Sequence, residues 1–169
     1  MLINSVGIIS FTLRWHHGHM SENENPSLRS IELSRTSTGH YTARNAAGAE
    51  IEFGQGEGLL SPVELLLAAI AGCSSIDVDV ATSRSAEPTK FEVTASGNKV
   101  VEEGGANRMD DLKLAFDLAF NDDAAGRKAV SMVERLVALS HDKYCTVSRT
   151  VEHGTPVASS VAVTTGEAN

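Results

Sequence analysis

The sequence predicts a single α+β domain, with strands grouped ahead of and between helices instead of alternating with them as in a parallel sheet. Three observations carry this reading. Residues 28–53, LRSIELSRTSTGHYTARNAAGAEIEF, break into short strand-like runs separated by turn residues. SPVE at 61–64 has the form of a capping box at the head of a long apolar segment. LKLAFDLAF at 112–120 sets Leu112, Leu114, Phe116, Leu118 and Phe120 on one face at a period of two, the pattern of a strand packed on the core by one side.

In chain order, Ile31 and Leu33 alternate in a first strand, TSTG turns, HYTAR is a second strand, NAAG turns again and AEIEF is a third. The domain therefore opens with a β-meander. GQGEGLL (54–60) is a glycine-rich joint that lacks the spacing and the lysine of a phosphate loop. Ser61 then caps a helix for which Pro62 suits the first position. From Val63 to Cys73 nearly every side chain is apolar or small, which predicts a central helix buried on most of its faces. Pro88 and the polar cluster TSRSAEP stop it.

KFEVTASGNKV (90–100) is the next strand, VEEGGANRMDD a polar connection, and LKLAFDLAF closes a second hairpin. Asn121, Asp122 and Asp123 open a second helix, their charge suiting the positive end of its dipole. Val130, Val133 and Val137, with Met132, Leu136 and Leu139, supply its helical spacing. After SHDKYC, TVSRTV reads as a short helix or turn, PVASSVAV as a C-terminal strand and TTGEAN as a frayed end. Residues 1–27 read as a disordered N-terminal extension, with translation able to begin at Met20, 28–164 as the domain and 165–169 as a tail. HHGH (16–19) could bind a metal as any His-rich tract can, but reads as part of that extension and is assigned no function.

Fourteen Lys and Arg against 22 Asp and Glu leave a net charge of −8, which repels phosphate backbones and anionic lipid surfaces. Nucleic acid and membrane are not expected as partners. No segment reads as long or apolar enough to cross a bilayer, and residues 1–19 lack the basic start and cleavage site of a secretory signal. The expected location is the cytoplasm, where two cysteines far apart in sequence, Cys73 and Cys145, are either inert buried thiols or a redox pair.

A free cysteine among Ala, Ile and Gly is usually a small hydrophobe. Two features of Cys73 point the other way: Gly72 removes a side chain beside the thiol, and SSID after it places small polar groups where packing would use leucine. Cys145, in KYCTVSRT just past a helix, sits where a chain bends, and a loop thiol can move as a resolving cysteine must.

GLLSPVELLLAAIAGCSSIDV together with LSHDKYCTVSRT resembles the OsmC/Ohr family, and within it the OsmC-like branch that includes YhfA-type proteins. The first motif surrounds the family's reactive cysteine and the second its partner, and the likeness extends from about residue 29 to 164. The resemblance implies an OsmC-like fold, an intertwined homodimer with active sites near the subunit interface, and thiol-dependent reduction of organic or inorganic hydroperoxides in oxidative-stress defence. Carried onto this chain, it implies that Cys73 as thiolate attacks the peroxide and becomes a sulfenic acid, that Cys145 resolves it to a disulfide, and that an external dithiol reduces the disulfide, with no metal or flavin.

That mechanism asks for a lowered thiol pKa and hence for a cation beside Cys73. Ohr-type peroxidases use an arginine from the N-terminal strands; Arg44 is the nearest match, with His40 or Tyr41 as close to its place in the alignment. They also use a glutamate directly after the proline, where this chain has Val63 and carries Glu64 one position later. At roughly 100° and 1.5 Å per residue, Glu64 lies about half a turn away from Cys73 and about 13.5 Å along the axis, so it reads as a cap before it reads as catalytic. Asp77, four residues after Cys73, shares its face and would raise the thiol pKa. Rival readings keep the fold without turnover: a pocket for a small apolar or thiol-reactive ligand, a slow redox sensor, a metal site of Cys73, Cys145 and His141, or a dimer with inert thiols.

Overall fold

The computed structural model describes residues 27–165. HHGH and Met20 lie outside that range. Three sequential antiparallel strands, β1 (Ile31–Ser37), β2 (His40–Asn45) and β3 (Glu50–Gly54), form the first sheet in the order β1-β2-β3. Leu33 lies opposite Ala43 and Ala43 opposite Ile51, while Tyr41 faces Phe53 with ring centroids 5.9 Å apart. These strands make their principal contacts with one another, and Ile31, Leu33 and Ile51 stay exposed.

Helix α1 (Pro62–Thr82) begins at the expected capping box: the Ser61 N–H donates to Glu64 Oε2 at 2.7 Å and the Glu64 N–H donates to Ser61 Oγ at 3.3 Å. Its buried stripe is Ile70, Ser74, Val78 and Thr82, one residue per turn, packed toward β4, α2 and the segment around Cys145. The expectation of burial on most faces does not hold within one chain, where Ile76 is 65% and Val80 52% exposed. Apolar composition all round the helix predicts a cover on every side, and a single chain supplies only one side of it. The expectation that no segment could cross a bilayer also fails, since α1 is long and apolar enough by length and composition. Its buried stripe instead joins it to the rest of the α+β unit.

The second sheet pairs β4 (Lys90–Val101) with β5 (Asn107–Ala119) antiparallel. β5 starts well before LKLAFDLAF, because most of the polar stretch read as a connection continues the ladder and only residues 102–106 turn. A bulge explains the missed register: Ser96 pairs with Lys113 but Asn98 pairs with Asp110, so Asp111 and Leu112 share the place opposite Gly97. Asp111 takes a positive φ of 51° there, and a Cβ on Gly97 would lie 2.6 Å from Leu112 Cδ2.

Helix α2 (Ala124–Leu139) is capped by Asp123, whose Oδ1 accepts the Gly126 N–H at 2.7 Å. Gly126 and Ala129, not Val130, lead its inward face, followed by Met132, Val133, Leu136 and Val137. One π-helical turn, Ser140–Tyr144, leads from α2 to α3 (Thr146–His153), the short helix at TVSRTV. The C-terminal strand is not formed: residues 155–165 carry no ladder, and Val157 is 94% exposed. Alternating valines favour a strand only where an edge offers hydrogen bonds, and none pairs with them within one chain.

Candidate active site

Two separate devices bring the cysteines together. Cys73 lies in the middle of α1 beside the buried stripe and is half-buried, while Cys145 is fully buried at the N-cap of α3. The first device is the π-helical turn, in which the Cys145 N–H donates to the Ser140 carbonyl at 2.8 Å and so turns the thiol inward. The second is a clip between segments: the Ser140 hydroxyl, itself buried, donates to Asp77 Oδ2 on α1 at 2.7 Å. α1 packs against the π-helical turn and α3, which makes Cys73 and Cys145 neighbours, each among the groups that shift the other's pKa.

The two sulfurs sit in unequal surroundings. The Ser148 N–H donates to Cys145 Sγ at 3.4 Å, and the Ser148 hydroxyl lies 3.1 Å from the same sulfur. Burial is the largest single influence on Cys145 and pushes it up, but hydrogen bonds from Ser148, Ser74 and Cys73 together leave the thiol below its ordinary value. For Cys73, burial again comes first and wins: the thiol is raised, and the neighbouring Cys145 raises it further against the lowering backbone groups of Val147 and Thr146. No Lys or Arg is among the groups acting on Cys73 within the described residues.

The other anticipated residues fall elsewhere. Arg44 stands on β2 and pairs with Glu50 across to β3. Glu64 is held by Ser61, whose hydrogen bonds lower its carboxyl pKa. His40 and Tyr41 belong to the same meander as Arg44. Asp77 is engaged by Ser140 and does not figure among the groups that shift Cys73. Gly72 is exposed with open space where a Cβ would stand, so nothing within one chain requires a glycine there. The metal set of Cys73, Cys145 and His141 is not assembled among the described residues; His141 instead meets Glu152 at 3.3 Å.

Sequence reasoning missed Ser74, Ser140 and Ser148. Each is a buried serine, and only SSID, already read as unusual for packing, carried a signal for the first of them. Ser148 also lines a cavity of about 260 Å³ whose walls include Leu67, Ile70, Leu112, Leu114 and Val151, with His141 and Glu152 among its polar lining groups. Neither sulfur lines this cavity, and Ser148 is the side chain shared between it and the thiol pair.

Asp77→Ala is expected to leave the buried Ser140 hydroxyl without its acceptor, at a cost of about 1–3 kcal/mol. Asp77→Asn keeps an acceptor and should lose much less, a difference read from denaturant midpoints of the two variants.

The family described as OsmC-like protein matches this chain over residues 54–160. Proteins described as uncharacterized from Mycobacterium tuberculosis and Mycobacterium bovis are 28% identical over 139 residues, spanning 77% of this chain and 93% of their own length. Among solved structures, a hypothetical protein from Aquifex aeolicus VF5 superposes with a TM-score of 0.59 at 24% identity, over 76% of this chain and 89% of that one. An OsmC-like protein of unknown function from Vibrio cholerae gives 0.62 at 16% identity, over 75% and 94%. An organic hydroperoxide resistance protein from Elizabethkingia anophelis gives 0.50 at 16% identity, over 76% and 92%. At these identities the structural likeness establishes the α+β fold.

Proposed function

The chain belongs to the OsmC-like protein family, and from that premise we propose that it reduces organic hydroperoxides with a thiol couple, Cys73 and Cys145. The observation that carries this reading is the packing of α1 on the segment around Cys145, which makes neighbours of two free thiols from distant parts of the chain, one half-buried and one fully buried. Cys73, the more accessible sulfur, takes the peroxide oxygen and becomes a sulfenic acid while the alcohol leaves; Cys145 then condenses with it, releasing water and forming a disulfide. An external dithiol returns the pair to thiols, and the reducing cytoplasm is the compartment in which such a couple would cycle. The apolar cavity joined to the pair by Ser148 suits an alkyl group better than hydrogen peroxide alone. The name of the Elizabethkingia neighbour, organic hydroperoxide resistance protein, agrees with this chemistry.

The decisive experiment is intact mass under non-reducing conditions after one equivalent of an organic hydroperoxide. The parent should lose two hydrogens, and Cys145→Ser should gain one oxygen at Cys73. Unchanged mass in both would sink the peroxidase reading and leave ligand binding in the cavity.

The working unit in this proposal is a homodimer. The uncovered side of α1 with Ile76 and Val80, the open meander residues Ile31 and Leu33, and the unpaired valines of 155–165 are all apolar surfaces that a second copy would cover. Light scattering on the purified chain should give twice the 17.9 kDa monomer mass, and a monomer at micromolar concentration would refute this.

A further inference from the structure

The unequal surroundings of the two sulfurs bear on how the couple is reset. Resting on the reading that Cys73 and Cys145 form a disulfide, we infer that its reduction runs in one direction: the external thiolate attacks Cys73, and Cys145 departs as the thiolate received by Ser148. In the first step a new sulfur–sulfur bond joins the reductant to Cys73, the Cys73–Cys145 bond breaks, and its electron pair stays on Cys145 Sγ. In the second, the other thiol of the dithiol attacks its own sulfur in that mixed disulfide. Cys73 leaves and takes up a proton, and the dithiol ends oxidised by two electrons.

Two independent observations set this direction. Attack requires approach to one sulfur along the bond, and Cys145 is fully buried whereas Cys73 is only partly so. Departure requires a place for negative charge, and Ser148 offers one at Cys145: its amide donates to Sγ at 3.4 Å, and its hydroxyl, which accepts from the Cys145 thiol at 3.1 Å, can turn to donate once that proton is gone. A thiolate that is stabilised leaves faster, and the lowered pKa of Cys145 agrees. Ser148 is therefore a positioning residue for the leaving sulfur.

The test begins with the purified chain oxidised by diamide, so that it does not depend on peroxide. A limiting amount of glutathione is added, free thiols are trapped with N-ethylmaleimide, and peptides are mapped by mass. Glutathione on Cys73 with maleimide on Cys145 is the expected pattern; the reverse, or equal labelling of both, overturns the inference. Ser148→Ala should slow reduction by dithiothreitol about threefold, because the departing thiolate loses the hydroxyl that receives it, and Ser148→Thr should restore it. Equal rates in parent and Ser148→Ala remove Ser148 from its role. A disulfide that forms with diamide but not with hydroperoxide refutes only the peroxidase reading, whereas no disulfide with either oxidant overturns both.

Discussion

Cys73→Ser is expected to bring hydroperoxide consumption down to the uncatalysed rate, the largest single effect in this chain. A serine hydroxyl cannot form the sulfenic acid, and the other thiol cannot take over, because Cys145 is fully buried behind α1 with its sulfur bonded to Ser148. The parent should show a particular pH dependence. Burial and the neighbouring Cys145 hold Cys73 above the ordinary thiol value, so at neutral pH it is mostly protonated and only the small thiolate fraction reacts. Consumption should climb by about tenfold per pH unit while the thiol remains mostly protonated. Measurement of hydroperoxide loss from pH 6 to 9 with excess dithiol checks both points; a variant that retains turnover, or a profile flat across neutrality, would contradict them.

Gly126→Ala should be the most damaging single-methyl change to the fold. A Cβ there would stand 1.9 Å from the Asn121 carbonyl oxygen, a backbone atom that cannot swing aside as a side-chain tip can. Gly126 is buried in the first turn of α2, and its N–H is the donor that Asp123 uses to cap the helix. Relief of the clash therefore means moving the cap or the helix start. The expected loss is about 3 kcal/mol, which lowers the melting temperature by about 6–12 °C for a domain of this size. Calorimetry on the variant decides it, and a change within a degree of the parent would show that the α2 entry yields freely.

Much of this fold was legible in the sequence because its signals are local. The meander announced itself through TSTG and NAAG, and α1 through Ser61, Pro62 and Glu64, whose side chains act on their immediate neighbours. The β5 start was obscured because Asn107–Asp111 is polar and belongs to the ladder only through its pairing with Val101 back to Asn98, past a bulge that periodicity cannot count. The C-terminal strand and the full burial of α1 were misread for a common reason: both patterns describe an environment, and one chain provides only part of it.

At the site, the cysteine motifs could be read but their surroundings could not. No spacing rule links Asp77 to Ser140, or Ser148 to a cavity lined from α1 and β5, since these contacts exist only after packing. Arg44 shows the opposite limit. Its residue type matched the expected cation, yet the register of β2 on β3 places it opposite Glu50.

The long sequence separation of the two neighbouring thiols has a thermodynamic side. A bond between them closes about half of the described chain, from the middle of α1 through both strands of the second sheet and α2, into one loop. In the chain-entropy picture a loop of that size removes enough freedom from the unfolded ensemble to stabilise the native state by about 4–5 kcal/mol. Under the proposed couple the reduced protein is the less stable of the two redox forms, so withdrawal of reductant would tighten the domain, and each return to the thiol state would make unfolding easier for the time that the pair stays open.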